Sequence, residues 1–529
     1  MRLLLPLLLA ACAPAPADSG APKGGADDTG DAAPVDPRFE ALAAVIEADL
    51  ADNLATGASV AVWLDGEAVW VGGFGSAHPD REQAVGPDTL FMIGSDTKKI
   101  AAISLLQRVA EGGATLSTSV GEVVPELEMA WATDFPDATI HDLLTHQGGV
   151  VDMIEQNART EGAGLEAFTL GDFAEQAWPL APPGRIWNYS NPNFSVAGLL
   201  DERLGGVPWE QQIDAEVLVP LGMDRTVTTL AGVDDDAAAG FGLVDFTSGS
   251  LGTVEVEDSW ETAWTRPAGL LWSNSLDQAR LAGFLLEGDP AVLPAELHAA
   301  LHSPQVPMYP ETTAAAYGYG LMVDQGISLA DGWHDVPVWT HGGNTITHTS
   351  TFWMLPDQGF GISILSNGYG DDFSRSVAAA ISSLVEDLPA PTTAPDLPWD
   401  PDALDGLTGS YLDPFNVGEL IITRDGDTLR LEAPLLDEYG VPYTSELEPL
   451  ATRLWLWGVQ GTTVDLMFID GPDGETYLRN RGFVATRAPG DAPAGPRPPL
   501  AQPRLSGLHA PPALTAPLPP LRRPATRAP

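Results

Sequence analysis

The chain has 529 residues, 44% apolar and 19% charged, enough for one large core and a smaller second one. Its 25 basic residues face 73 acidic ones, a net charge of −48; such a surface repels nucleic acid and anionic polymers and names no partner. Cys12 is the one cysteine, which excludes an intramolecular disulfide and any cysteine-based metal cluster.

Met1-Arg2, the short apolar run Leu3 to Leu9 and the small residues before Cys12 read as a processed export signal over 1–11, too short to cross a bilayer. The pattern resembles a bacterial lipoprotein signal. That resemblance implies an exported protein whose Cys12 is lipidated, anchored in the cell envelope (periplasm or outer membrane) by that lipid alone. Residues 12–37 are rich in Ala, Pro, Gly and Asp and read as a flexible tether.

From residue 38 the pattern changes. Phe39, Leu42, Ile46 and Leu50 recur at helical spacing, and SVAVWLDGEAVWVGGFG predicts a hairpin about Asp65-Gly66. Ile100, Ile103, Leu106 and Val109 line a helix that opens near Ser95 and stops at Gly112-Gly113. A long helix-and-loop region runs to about residue 330. The strand-like runs VPVWTHGG, STFWMLP and FGISILSN then return, followed by a last helix. Strands at both ends with helices between predict an α+β unit over 38–388, its terminal segments meeting in one mainly antiparallel sheet flanked by helices and a helical subdomain. A proline-rich linker over 389–403 precedes a small all-β, barrel-like unit over 404–488 with a hairpin about Asp425-Gly426. The Pro-, Ala- and Arg-rich residues 489–529 read as a disordered tail.

Three groups carry candidate chemistry. Lys23, Lys98 and Lys99 are the only lysines. Two of them stand three and four residues after Ser95, both within reach of it on a helix. A lysine amine can lose its proton when buried, whereas an arginine stays charged. Spacing does not choose between the two. Ser95 at a helix start also offers its own backbone N–H to a developing oxyanion. Tyr189-Ser190-Asn191 precedes a proline on a loop entering a helix. His341-Gly342-Gly343 follows a strand, and its glycines permit close approach of a ligand. Each signal is weak alone, His-x-Gly arising about once by chance in a chain of this size. Their order and placement carry the weight.

Together Ser95-Asp96-Thr97-Lys98, Tyr189-Ser190-Asn191 and His341-Gly342-Gly343 resemble the three motifs of the class C β-lactamase-like serine hydrolases, a family that includes penicillin-binding DD-peptidases, D-aminopeptidases and esterases. TIHDLLTHQGGV, PLGMDRT and RPAGLLWSNSLDQARLAGFL resemble its framework segments, over roughly 38–388. Residues 404–488 resemble the lipocalin-like β unit some members carry.

The resemblance implies acyl transfer. Ser95 is the nucleophile, and Lys98 and Tyr189 remove its proton as a coupled pair. Asn191 holds Lys98 and the substrate amide, His341 and Gly343 support the substrate, and the backbone N–H groups of Ser95 and Asn344 form the oxyanion hole. Lys99 becomes a helix-surface charge. β-Lactamases of this class carry lysine and a hydroxyl residue where this chain has His341 and Gly342, so esters, amides and short peptides move ahead of penicillins and cephalosporins as substrates. His341 offers itself as a proton shuttle. His141 and His146 belong to a framework segment, so no metal or other cofactor is expected. An acyl-trapping or ligand-binding protein and an acyltransferase are the alternatives.

Overall fold

The computed structural model describes residues 36–152, 164–245, 249–309, 315–471 and 474–488. The expected signal, Cys12, nearly all of the tether and the 489–529 tail lie outside them. Helix α1 (Pro37–Asp52) is capped by Asp36, whose carboxylate accepts the Arg38 N–H, and it turns Leu42 and Ile46 inward. Strands β1 (Gly57–Leu64) and β2 (Glu67–Gly75) join through Asp65 and Gly66 at φ 47° and 88°, the left-handed pair that a tight hairpin turn requires. One 3-10 turn, Gly94–Asp96, runs directly into α2 (Thr97–Ala110). Helices α3 (Asn191–Gly205) and α4 (Ser275–Glu287) follow.

The strands resume as β3 (Val306–Pro307), β4 (Ala315–Tyr317), β5 (Met322–Leu329), β6 (Gly332–Asn344), β7 (Thr349–Leu355) and β8 (Phe360–Ser366), before helix α5 (Ser374–Leu384). They form one eight-stranded sheet in the order β2-β1-β8-β7-β6-β5-β4-β3. The first strands pair with the last, Val60 opposite Ile364, as the distribution of strand-like runs predicts. Side chains alternate across the sheet. Val60, Val62, Ile362 and Ile364 pack with Leu42 and Ile46 of α1 and Val377 and Ile381 of α5, each worth about 1.5–3 kcal/mol when fully buried. On the other face, the Ser59 and Ser275 hydroxyls meet at 2.7 Å, tying β1 to α4.

Helix α2 is buried on every side from Thr97 to Arg108. Its polar residues are therefore paired inside the protein. Ser104 Oγ donates to Asp201 Oδ2 of α3 at 2.5 Å, and Arg108 Nε lies 3.4 Å from Asp201 Oδ1. Removing one partner of such a buried ionic cluster costs about 3–5 kcal/mol, so α2 and α3 are held in one register.

A second eight-stranded sheet contains β9 (Gly409–Asp413), β10 (Gly418–Asp425), β11 (Thr428–Glu432), β12 (Glu448–Pro449), β13 (Leu454–Val459), β14 (Thr462–Asp470), β15 (Thr476–Asn480) and β16 (Phe483–Arg487). Its order is β11-β10-β9-β16-β15-β14-β13-β12. The Leu431 N–H donates to Ser445 O and the Leu447 N–H to Leu429 O, at 2.7 and 3.0 Å. These bonds curl β11 back beside β12, so the sheet nearly closes around Leu420, Leu431, Trp457, Phe468 and Phe483. The two sheets match the expected α+β unit followed by a small all-β one. The proline-rich stretch between them is docked rather than free: Thr392 and Trp333 exchange backbone hydrogen bonds of 2.7 and 3.0 Å at the start of β6. Trp187, Tyr189 and Tyr317 pack with Ala451, Leu454 and Met467, joining the two sheets in one apolar cluster.

Candidate active site

Two glycines seat the turn that carries Ser95. Gly94 has φ 53°, and a Cβ there would lie 2.7 Å from Asn344 N. A Cβ on Gly343 would lie 1.9 Å from Ile93 O. The end of β6 and the Ile93–Ser95 turn therefore meet backbone to backbone, with Ser350 Oγ donating to Ile93 O at 2.7 Å. The glycines were expected to clear space for a ligand; in the structure Gly343 clears space for the protein's own carbonyl.

Lys98 projects from the first turn of α2 and is wholly buried. Its Nζ lies 3.0 Å from Ser95 Oγ, 2.8 Å from Asn191 Oδ1 and 2.5 Å from the Ala268 carbonyl oxygen. Two of these neighbours, the Asn191 and Ala268 oxygens, can only accept, whereas a hydroxyl can donate or accept. An uncharged amine that gives its two hydrogens to the carbonyl oxygens therefore presents its lone pair to the Ser95 hydroxyl.

Tyr189 sits at the end of the loop before α3, 4.9 Å from Lys98 Nζ measured to its ring centre. Burial raises its phenol above the usual tyrosine value, opposed by the Arg481 charge and a hydrogen bond with Ser95, and supported by Asp152 and Asp96. Asn191 opens α3, with Ser190 as its N-cap and Pro192 at the next position, where proline's missing N–H costs nothing. His146 packs its ring 4.0 Å from that of Tyr189, and the Ser190 N–H donates to its Nδ1 at 3.2 Å. Burial, then the Lys98 charge, push His146 well below the usual histidine value, so it stays neutral.

Lys99 departs from expectation. It is buried, not a surface charge: its Nζ donates to Asp96 Oδ1 at 2.7 Å and lies 3.3 Å from the Phe352 ring centre. The reason is the helix itself. With α2 covered all round, its third residue has no solvent face. Burial pushes the Lys99 amine down and the Asp96 carboxyl up, each opposed by the other's charge.

His341 is buried on β6. Its Nδ1 donates to Gly342 O at 2.7 Å, leaving Nε2 to accept from the Tyr317 hydroxyl at 3.1 Å. Burial first, then the charges of Lys98 and Lys99, hold it well below the usual value. It is neutral, with both ring nitrogens engaged in hydrogen bonds. Tyr317 supplies the hydrogen bond that the sequence did not suggest.

Other neighbours were also missed. Ala268 and His146 fall in framework segments that suggest no role for them. Asp152 and Arg481 had no signal at all. Asp152 accepts the Asn191 N–H at 2.8 Å and a hydrogen bond from Arg481 Nε at 2.7 Å. Among the described residues no three His, Cys, Asp or Glu side chains gather as a metal site, and no helix is long and apolar enough to cross a membrane.

The Beta-lactamase family model matches residues 42–385. The chain is 28% identical to penicillin-binding protein 4 of Amycolatopsis lactamdurans over 322 residues, 59% of this chain and 81% of that one. It is 32% identical to esterase EstB of Burkholderia gladioli over 194 residues, 34% of this chain and 49% of that one. A D-stereospecific amidohydrolase from Streptomyces sp. superposes with a TM-score of 0.53 at 26% identity, covering 64% of this chain and 97% of that one. With a match spanning more than half its length, the chain belongs to the beta-lactamase family of serine hydrolases.

Proposed function

We propose that this serine hydrolase cleaves a small ester, amide or short peptide through an acyl-enzyme on Ser95. One observation carries the reading: the Lys98 amine faces two carbonyl oxygens and the Ser95 hydroxyl. The Ser95 proton passes to the Lys98 lone pair as Oγ attacks the substrate carbonyl carbon. The oxyanion is taken up by the Ser95 and Asn344 N–H groups, a reading supported by the close approach of the Gly94 backbone to Asn344 N, which would lie 2.7 Å from a Cβ on Gly94. Burial favours the neutral phenol at Tyr189, so it enters as a proton donor and relays the proton from Lys98 to the leaving group. Water then attacks the acyl-enzyme and the proton path runs in reverse. Neutral His341 and the absent hydroxyl at Gly342 favour uncharged acyl groups over the carboxylate of a penicillin. The esterase and amidohydrolase names among the relatives fit the same class of bond.

A fluorophosphonate probe on wild type and Ser95→Ala tests this. Labelling of wild type alone, with turnover of p-nitrophenyl acetate, is expected. Equal labelling of Ser95→Ala overturns the assignment. Labelling that persists without turnover makes the protein an acyl trap, and turnover that needs an added alcohol or amine makes it an acyltransferase.

A further inference from the structure

The turn Asn480–Gly482 joins β15 to β16 in the second sheet, outside the residues matched by the family. It nevertheless grips the loop that carries Tyr189. Asn188 Nδ2 donates to Arg481 O at 3.0 Å, and Arg479 Nε donates to Asn188 Oδ1 at 3.0 Å. The Arg481 guanidinium lies over the Tyr189 ring, 4.6 Å from its centre. Its Nε and Nη2 both face Asp152 Oδ2, while the other oxygen of that carboxylate holds the Asn191 N–H. Asn191 is the residue whose Oδ1 accepts from Lys98.

Arg481 is not a free anion site. Its side chain is 11% exposed and that of Asp152 fully covered, so a carboxylate of the protein already occupies one edge of the guanidinium and the tyrosine ring covers a face. The charge is directed inward. We propose that Arg481 and Asp152 are positioning residues through which the second sheet sets the proton affinity of the Tyr189–Lys98 pair and keeps Asn191 on Lys98. The inference rests on the Ser95 acyl-enzyme reading above.

The other groups around the phenol leave these two as the adjustable charges. Lys98 is part of the pair itself. His146 and His341, with rings 4.0 and 6.3 Å from that of Tyr189, are held neutral by burial. Asp96 is committed to Lys99, and Tyr317 is held protonated by burial. Burial raises the Tyr189 phenol; Arg481 opposes that shift and Asp152 adds to it. A cation stabilises the deprotonated form of either member of the pair, and an anion does the reverse. Removing Arg481's charge therefore moves the ascending limb of the pH–rate profile upward. Removing Asp152's charge moves it downward. Simple loosening of the loop slows both variants without shifting their limbs in opposite senses.

The test is the rate of fluorophosphonate labelling of the full chain across about pH 5 to 10. Arg481→Gln is expected to move the ascending limb up by about one pH unit and Asp152→Asn down by about one. Arg481→Lys, which keeps the charge but loses the planar fork, restores the wild-type limb at a lower maximal rate. Limbs that stay in place, or that move the same way in Arg481→Gln and Asp152→Asn, overturn the inference. If Arg481→Gln shows no cooperative melt, Asp152→Asn decides: a downward limb supports the inference and any other result overturns it. A wild type that takes no label removes the acyl-enzyme reading and this inference together. A labelled wild type with unshifted variants removes this inference alone.

Discussion

Two turns converge on Tyr189, one at the start of α2 and one at the end of β15, and they use positive charge differently. The α2 turn brings Lys98, whose amine is proposed to give up a proton and regain it. The β15–β16 turn brings Arg481, whose charge is fixed at any physiological pH. The first turn is seated by backbone contact between Gly94 and Gly343. The second is seated by side chains, through Asn188, Arg479 and Asp152. Ser95 and Lys98 sit on the backbone-seated turn, Tyr189 sits on the loop that the second turn grips, and the fixed charge proposed to bias the pair comes from the second sheet.

The comparison is broken most severely at Lys98. Lys98→Arg puts a permanent cation where the proposed mechanism uses an uncharged amine and should slow fluorophosphonate labelling by about 10³-fold; a loss of less than tenfold would mean the amine is not the base. Gly343→Ala tests the backbone seat. Its Cβ would displace Ile93 O, with an expected loss of about 1–3 kcal/mol of stability and about 10²-fold in labelling rate from the displaced Ser95. Wild-type labelling in that variant would show that the contact positions nothing. Lys99→Met sharpens the distinction between the neighbouring lysines. It strands Asp96 in the interior and should cost about 3–5 kcal/mol in thermal or denaturant unfolding, while labelling of the molecules that remain folded falls by less than tenfold. An unchanged stability would place Lys99 back on the surface.

Most of this site could be read from the chain. The Ser95–Lys98 spacing, the proline after Asn191 and the strand before His341 each follow from local periodicity, and their order carries the family likeness. Lys99 misled because spacing places a residue on a helix face without saying what covers that face. His341 kept its place but not its expected freedom, since its hydrogen bonds to Gly342 and Tyr317 depend on how β6 and β4 lie together in the sheet. Gly343 was legible as a point of close approach, and only the packed structure showed that the approaching group is Ile93.

The order of amino acids alone determined the local elements, the two hairpin turns with their glycines, and the identity of Ser95, Lys98, Tyr189 and Asn191 as candidates, because these depend on backbone geometry within a few residues. Tertiary structure decided which lysine faces the serine, which histidines stay uncharged, and that Arg481 lies 292 positions beyond Tyr189 in sequence yet 4.6 Å from its ring. Burial and long-range electrostatics depend on what surrounds a group in space, and no local spacing encodes that.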